Sequence, residues 1–298
     1  MSEDFDRWRR EGRVYRHRGH AIFYRTAGEG PALLVLHGFP SASWDWYPLW
    51  PELTARFRAI AADMIGFGWS DKPRAHDYTI MDQATLHEGL LRELGVSRVH
   101  VLAHDYGDTV AQELLARYED RARRGEESLR IESVCLLNGG LFAETHRARF
   151  AQKLLVSPVG SLVERVMGKR AFASGLTAVF GPTTPPSAVL IDELWTLLRH
   201  QDGHRVLHLV LGYMAERWEH RDRWVGALVR TKVPLRLING SADPVSGAHM
   251  VARFREVVPG GDAVTLPGIG HYPQIEDPAA VLHAFLAFHA RLGLSLCT

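Results

Sequence analysis

The chain is short of cysteine, of long apolar runs and of any recognisable targeting segment. Its 298 residues include two cysteines, Cys135 and Cys297, too few for a disulfide framework, and Cys135 lies in an apolar stretch typical of a buried thiol. No apolar run approaches the ~20 residues that a membrane helix needs, and residues 1–10 carry no apolar signal core. These absences lead us to expect a cytoplasmic protein without a membrane partner.

An excess of charge of one sign is also missing. The 35 Lys and Arg residues are balanced by 34 Asp and Glu residues, a net charge of +1, so electrostatics give no reason to expect a nucleic-acid partner. A hydrophobic content of 46% and a charged content of 23% are ordinary for a globular protein and exclude a disordered or collagen-like chain. A chain of this length buries roughly 75% of its unfolded surface on folding, so a large core can form without disulfides.

Short apolar runs alternate with longer helical patterns along most of the chain. A hairpin is predicted over Arg13–Tyr24. Six later runs lack a polar face, as buried parallel strands do: Ala32–Leu36, Phe57–Ala62, Val99–Ala103, Val134–Leu137, Leu235–Ile238 and Ala263–Leu266. Helical patterns separate them: Ser43–Arg56, Ile80–Leu94, Asp108–Arg117, Gly247–Val257 and Pro278–Leu292. This alternation predicts an α/β fold, with a mostly parallel sheet and helices on both faces.

One stretch interrupts the alternation. Residues 141–223 show only helical patterns and breakers such as Gly181-Pro182. We therefore predict a helical cap over 141–223, inserted into a core formed by 1–140 and 224–298. Active sites in such sheets lie beyond the carboxyl ends of the strands, so a cap inserted after a strand would cover the site.

The strand predicted over Val99–Ala103 is followed by His104, Asp105, Tyr106 and Gly107, and then by a helix. A small residue two positions before and two after a nucleophile, between a strand and a helix, is the pattern of a nucleophile elbow. Asp105 stands where serine is usual. A carboxylate there can attack an sp³ carbon and form an ester. The alternative is an Asp that only caps the next helix.

Partners for this nucleophile follow two later strands. Hydrolases with such an elbow order their triad as nucleophile, acid and histidine, and Asp243 and His271 occur in that order after predicted strands. Asp243 alone could be a turn residue before proline, and His271 alone a loop histidine. The three placements together favour a catalytic triad.

A loop after the first buried strand completes the pattern. In this class of hydrolase, one N–H of the oxyanion hole comes from that loop and the other from the residue after the nucleophile. The sequence has His37–Pro40 in the loop, so we expect the backbone N–H groups of Phe39 and Tyr106 to form the oxyanion hole.

These residues are similar to known motifs. His37–Pro40, Asp63–Pro73, His104–Gly107 and Gly270–Gln274 resemble motifs of the α/β-hydrolase superfamily, and within it of the cap-bearing epoxide hydrolases and haloalkane dehalogenases. Longer segments resemble the mesoderm-specific transcript protein subgroup most: His104–Leu115, Leu137–Arg147 and Arg223–Leu228. The resemblance covers roughly residues 15–293.

The resemblance implies an epoxide hydrolase that acts through an alkyl-enzyme ester on Asp105. That family uses two cap tyrosines to hold and protonate the epoxide oxygen. Tyr213 resembles the second, whereas the first has no match near residues 142–158. Cap histidines that could replace it, each alternatively a packing residue, are His146, His200, His204 and His208. Further candidates for substrate binding are His37, Pro40, His104 and His146.

Three alternatives remain open: a haloalkane dehalogenase, another hydrolase with an Asp nucleophile, and a non-catalytic family member. Dehalogenases usually carry Trp where this chain has Tyr106 and tend to carry Asn in place of Phe39; fluoroacetate-type enzymes place Arg after the nucleophile. Asp202, His204 and His208 have a loose ligand spacing, but no Cys or carboxylate pattern supports zinc. We therefore expect no metal, and we expect no organic cofactor. The expected partners are a small epoxide and water.

Overall fold

A computed structural model describes residues 1–126 and 129–293 of the chain. The last five positions of the predicted core segment 224–298, which include Cys297, lie outside the described residues. The described part contains one eight-stranded sheet in the order β1-β2-β4-β3-β5-β6-β7-β8. Its strands are β1 (Arg13–His17), β2 (His20–Ala27), β3 (Ala32–Leu36), β4 (Arg58–Ala62), β5 (Arg98–His104), β6 (Arg130–Leu137), β7 (Leu235–Gly240) and β8 (Ala263–Leu266).

The sheet confirms the predicted α/β class. Strand β2 pairs antiparallel with β1 and with β4, and every other pairing is parallel. The sequence predicted β3 and β8 with their observed bounds. Strand β6 begins four residues earlier than predicted, at Arg130, because its first half alternates between exposed and buried positions and lacks the continuous apolar run of its second half.

Helices of the core cover both faces of the sheet: α1 (Glu3–Arg10), α2 (Trp50–Thr54), α3 (Ile80–Glu93), α4 (Tyr106–Arg123), α12 (Ala248–Val257), α13 (Pro273–Glu276) and α14 (Pro278–Arg291). Sequence patterns missed α1, whose only buried residues are Phe5 and Trp8. The helix predicted over Ser43–Arg56 is wrong: a 3₁₀ turn over Ser43–Trp46 precedes the short α2.

The residues between β6 and β7 form α5 (Phe150–Leu155), α6 (Gly160–Val166), α7 (Lys169–Thr177), α8 (Ala188–Arg199), α9 (Leu207–Val210), α10 (Tyr213–Glu219) and α11 (Arg221–Arg230). A 3₁₀ segment over His200–Val206 precedes α9, and no strand occurs between 141 and 223, all of which the structure describes. The predicted boundary between 223 and 224 falls inside α11, which packs against core helix α4. The division into core and cap is therefore a proposal whose second boundary belongs at an end of α11.

No helix within the described ranges is long and apolar enough to cross a membrane. The parallel strands end at one edge of the sheet. That edge carries the loop after β3, the turn after β5 and the segments that follow β6, β7 and β8, and the candidate catalytic residues lie there.

Candidate active site

Asp105 occupies a strained turn between β5 and α4. Its backbone has φ +50° and ψ −104°, a left-handed conformation that is unfavourable for a residue other than glycine. A Cβ at Gly107 would lie 2.7 Å from the Leu36 carbonyl oxygen, and a Cβ at Gly38 would lie 2.6 Å from Nδ1 of His104. The small residues around the turn therefore allow three chain segments to approach closely and hold the Asp105 side chain at the sheet edge.

The two carboxylate oxygens of Asp105 have different surroundings. Oδ2 accepts the backbone N–H of Phe39 over 2.9 Å. Oδ1 lies 3.7 Å from Nε2 of His271, an ion-pair distance that is too long for a good hydrogen bond. The Phe39 amide thus binds one oxygen, while the other faces the imidazole.

Asp243 holds His271 in place. Its Oδ2 lies 2.8 Å from Nδ1 of His271 and also accepts the Ser246 hydroxyl over 2.8 Å. Its Oδ1 accepts the backbone N–H of Val245 over 2.7 Å. A carboxylate with this many donors is rigid, so it orients the imidazole with Nε2 towards Asp105.

Sequence reasoning missed Asn138, a fourth partner of Asp243. It follows β6 with φ +45°, its Nδ2 donates to Oδ2 of Asp243 over 2.9 Å, and its Oδ1 accepts the N–H of Gly240 over 2.7 Å. The signal in the sequence was a residue that tolerates left-handed backbone, directly after a buried strand. Its contact with a residue 105 positions later has no local signature.

The loop that carries His271 is tied to the inserted helices. The His271 N–H donates to the Val179 carbonyl oxygen over 2.8 Å. The carboxylate of Glu276 accepts N–H groups from Gly181, Gly270 and Tyr272 at 2.7 to 3.0 Å. One carboxylate thus joins the histidine loop to the segment between α7 and α8, so the insertion helps to position the base.

Burial and opposite charges set the ionisation of the triad. Burial alone would raise the pKa of Asp105, but its attraction to His271 outweighs burial and holds the pKa well below the usual range. Burial alone would lower the pKa of His271, but the charges of Asp243 and Asp105 raise it well above its usual value. Both shifts therefore favour the charged forms of Asp105 and His271.

A cavity of about 350 Å³ opens onto Asp105 and His271. Phe39, Pro40 and Tyr272 line it from the core side. The inserted helices contribute mostly apolar walls, among them Phe150, Leu155, Met167, Phe172, Leu176 and Leu198, with Arg149 and Gln152 as polar exceptions. This lining suits an apolar substrate of small size.

Tyr213 does not line that cavity. Its ring is fully buried and contacts Tyr106, with ring centroids 4.8 Å apart at 76°. Its hydroxyl makes no hydrogen bond of ordinary geometry. Burial raises its pKa above the usual value, and the charge of Asp105 adds to that shift. The Tyr213 hydroxyl is therefore a neutral phenol without a hydrogen-bond acceptor, and it lies close enough to Asp105 for the charge of that carboxylate to raise its pKa.

Arg217, one turn further along α10, is a buried cation that sequence reasoning missed. Its guanidinium carbon lies 4.5 Å from the centre of the Tyr213 ring, and its Nε donates to the Thr109 hydroxyl over 2.9 Å. Within the described residues no carboxylate lies at ion-pair distance from it. Its charge helps to lower the pKa of Asp105, after the larger effect of His271.

Of the four candidate substrate-binding residues, only Pro40 lines the cavity. His37 is buried beneath the oxyanion loop, where its Nδ1 contacts the Gly38 carbonyl oxygen and its Nε2 accepts the Met64 N–H over 3.0 Å. His104 places its Nε2 2.7 Å from the His271 carbonyl oxygen. Both imidazoles are therefore engaged by backbone groups, which local sequence could not reveal.

The cap histidines have separate surroundings. Burial lowers the pKa of His146 to about 3, and its Nε2 has no hydrogen-bond partner. His208 lies 2.8 Å from Glu164 through Nδ1, and His204 lies 2.7 Å from Arg199 through Nε2. Burial lowers the pKa of His200 to about 4. None of the four lines the cavity.

Comparison with known proteins identifies the family of this chain. The family model described as the alpha/beta hydrolase fold matches residues 31–139. The mesoderm-specific transcript protein of Mus musculus is 42% identical over 302 residues, covering 97% of this chain and 88% of the relative. The chain belongs to the α/β-hydrolase family. The predicted resemblance to the mesoderm-specific transcript proteins is thereby confirmed.

Solved structures of the family share the fold. The epoxide hydrolase CorEH superposes with a TM-score of 0.75 at 22% identity, covering 94% of this chain and 99% of that one. A loop variant of the haloalkane dehalogenase DbeA from Bradyrhizobium elkanii superposes with a TM-score of 0.76 at 21% identity, covering 95% and 98%. At these identities the likeness establishes the fold and does not separate the two activities.

Proposed function

We propose that this hydrolase converts an epoxide to a vicinal diol through a covalent ester on Asp105. The observation that carries the proposal is the unequal placement of the two Asp105 oxygens. Oδ2 accepts the Phe39 N–H, and Oδ1 lies 3.7 Å from Nε2 of His271. A nucleophilic carboxylate needs one free oxygen for attack and one oxygen in the oxyanion hole for the later hydrolysis.

In the first step, Oδ1 of Asp105 attacks a ring carbon and the carbon–oxygen bond breaks. The departing oxygen takes the proton of the Tyr213 hydroxyl. Tyr213 is proposed for this role because its phenol is buried beside Asp105 without another acceptor. Since it does not line the cavity in this conformation, the α10 segment must expose the hydroxyl when substrate binds.

In the second step, a water deprotonated by His271 attacks the ester carbonyl carbon of Asp105. Esterification removes the negative charge of Asp105, one of the two attractions that raise the pKa of His271. Before the water reacts, His271 gives its proton to the Tyr213 phenolate. His271 is then neutral and can accept a proton from the water. The N–H groups of Phe39 and Tyr106 stabilise the oxyanion, and each such donor is worth roughly 3–4 kcal/mol. Collapse releases the diol and restores the carboxylate and the imidazolium.

Dehalogenation is the second candidate, and the cavity lining disfavours it. In the dehalogenases that the sequence resembles, a Trp after the nucleophile uses its N–H to bind the departing halide. The lining residues include neither Trp nor Asn, and Tyr106 replaces the Trp expected after the nucleophile. A non-catalytic role would not explain why Asp105, His271 and Asp243 lie together.

A substrate panel tests the proposal. Purified protein is incubated with styrene oxide, 1-bromobutane and 4-nitrophenyl acetate, with product identification and a matched Asp105→Asn variant. We expect diol from styrene oxide, no bromide, and no diol from the variant. Styrene oxide is chosen because its benzylic bond breaks with little acid assistance. Bromide release without diol formation, or diol formation that survives in Asp105→Asn, would refute epoxide hydrolysis through Asp105 as the function.

A further inference from the structure

Exposed apolar side chains are concentrated on α5 and α6. Among the described residues, eleven large apolar side chains are strongly exposed, and five of them lie within residues 150–166. They are Phe150 (80% exposed), Val156 (45%), Val159 (51%), Leu162 (62%) and Val166 (78%). Single exposed apolar residues are normal on a protein surface, whereas a contiguous group indicates contact with an apolar partner.

The geometry of α6 places three of them on one side. Val159, Leu162 and Val166 are spaced by three and four residues, which aligns them on one helix face. The opposite side faces the protein: Glu164 is buried, and its carboxylate contacts Nδ1 of His208 at 2.8 Å. The helix therefore buries its acid and exposes its apolar face, the reverse of an ordinary surface helix.

The turn into α6 fixes this orientation. A Cβ at Gly160 would lie 1.8 Å from the carbonyl oxygen of Leu155. Only glycine allows the start of α6 to approach the end of α5 so closely. Leu155 itself is buried and lines the active-site cavity. The two helices are thus anchored through Leu155 and Glu164, with the apolar group outside.

Exposed basic side chains flank the apolar group along the sequence. Residues 147–170 contain six of the basic residues of the chain and a single acidic one, the buried Glu164, although the whole chain has a net charge of only +1. The six are all exposed: Arg147, Arg149, Lys153, Arg165, Lys169 and Arg170. In the described part of the chain, only Lys169 among them pairs with a carboxylate, that of Asp192.

The apolar group also adjoins the entrance of the cavity. Phe150 is 80% exposed and yet lines the cavity that contains Asp105. Arg149, Gln152 and Met167, from the same segment, line it as well. A surface bound by α5 and α6 would therefore lie against the opening through which an apolar substrate reaches Asp105.

We propose that α5 and α6 form a docking surface for an anionic lipid bilayer, into whose interface Phe150, Val159, Leu162 and Val166 insert. Apolar side chains flanked by exposed Lys and Arg are the combination that binds the interface of a negatively charged membrane. Docking of a second copy of this chain would bring two positively charged surfaces together, so charge repulsion disfavours a dimer at this surface. The inference departs from the absence of a membrane partner expected from the sequence, and it does not depend on which reaction Asp105 performs.

The test uses the full chain and sedimentation with large unilamellar vesicles. One set contains phosphatidylcholine alone and the other about one-third phosphatidylserine. We expect at least ~10-fold tighter binding to the anionic vesicles at low salt, with a loss of binding as the ionic strength rises. Equal binding to both vesicle types, or no binding to either, would overturn the proposal.

Two double variants and a matched control locate the surface. Leu162→Gln/Val166→Gln and Lys153→Glu/Arg165→Glu avoid the cavity lining, and each should weaken anionic-vesicle binding at least ~10-fold. Val14→Gln is the control, because Val14 is 59% exposed but lies on β1. Thermal melting followed by circular dichroism shows whether each variant is folded. If Leu162→Gln/Val166→Gln is unfolded, the vesicle binding of Lys153→Glu/Arg165→Glu alone decides the test.

Sedimentation velocity without lipid examines the competing occupant. The lipid proposal would be refuted by two results together: the wild-type protein forms a dimer that Leu162→Gln/Val166→Gln dissociates, and the wild-type protein does not bind vesicles. The surface would then be a contact between two copies of the chain. A loss of vesicle binding in Val14→Gln equal to that of the α6 variant would also refute it.

Discussion

The side-chain amide of Asn138 bridges Asp243 and the end of β7. Its Nδ2 donates to Oδ2 of Asp243 over 2.9 Å, while its Oδ1 accepts the N–H of Gly240 over 2.7 Å. The same Asp243 oxygen contacts Nδ1 of His271. The amide therefore sets the position of the carboxylate that orients the candidate base.

Asn138→Gly should slow ester hydrolysis about 10- to 100-fold, because a hydrogen bond to a charged group is worth roughly 1.5–3 kcal/mol. Glycine tolerates the φ of +45° at this position, so the variant removes the amide without adding backbone strain. Rapid-quench kinetics with mass spectrometry should show unchanged alkylation of Asp105 and accumulation of the ester. The control is Asn239→Ala, whose amide bonds the Ser246 carbonyl oxygen and does not contact Asp243; equal slowing in both variants would contradict a positioning role.

An ester on Asp105 should be directly detectable. Water attacks the carbonyl carbon of the aspartate, so in a single turnover in ¹⁸O-water, with enzyme in excess, the label should enter the peptide that contains Asp105. The first diol should remain mostly unlabelled. His271→Gln should block hydrolysis and leave an adduct on Asp105, because the Phe39 N–H that holds its other oxygen remains in place. Label found wholly in the first diol, with no adduct, would exclude covalent catalysis.

Tyr213→Phe should lower kcat by about 100-fold or more, the usual contribution of a general acid. Since the hydroxyl makes no ordinary hydrogen bond, the free energy of unfolding should change by less than about 1 kcal/mol. Tyr78→Phe provides the opposite control: its hydroxyl donates to the Pro73 carbonyl oxygen over 2.7 Å, so it should lose about 1 kcal/mol of stability and retain activity. If Tyr213→Phe keeps wild-type rates, Tyr213 is not the acid, and variants of the four cap histidines are the next test.

The free energy of unfolding should depend on pH through the titration of Glu216 on α10. Burial is the largest cause that raises its pKa, from 4.5 to about 7, and the charges of Asp77, Glu219 and Glu113 raise it further. The hydrogen bond from the Ile80 N–H lowers the pKa and offsets part of this shift. A raised carboxyl pKa stabilises the fold below about pH 4.5, and this contribution is lost as the pH rises to about 7.

Glu216→Gln removes that titration. Compared with wild type, the variant should gain about 1–2 kcal/mol in unfolding free energy between pH 4.5 and 7, after a discount for the partial exposure of the group. Urea denaturation at both ends of this range measures it. Glu219→Gln, an exposed neighbour on the same helix, serves as the control. A difference between wild type and Glu216→Gln that stays constant with pH would show that Glu216 does not titrate in this range.

The sequence alone determined the fold class and the candidate triad. Strand β3 is a continuous apolar run, and β8 is a shorter run that Thr265 interrupts and in which only Leu266 is buried; both were predicted with their bounds. Asp105 follows β5 directly, and Asp243 and His271 lie three and five residues after the ends of β7 and β8. The carboxyl ends of parallel strands meet at one edge of a sheet. The order of the three residues along the chain was therefore enough to expect them together.

Tertiary structure alone decided the surroundings of those residues. Asn138 reaches Asp243, and Arg217 packs on Tyr213 beneath the elbow, through contacts that depend on how α10 and the ends of β6 and β7 meet. The outward face of α6 likewise has no sequence signature, because the spacing of Val159, Leu162 and Val166 is that of any apolar helix face. Periodicity reports that a helix has an apolar face, but only the packing of its other face, through Glu164 and His208, decides that this one points to the outside.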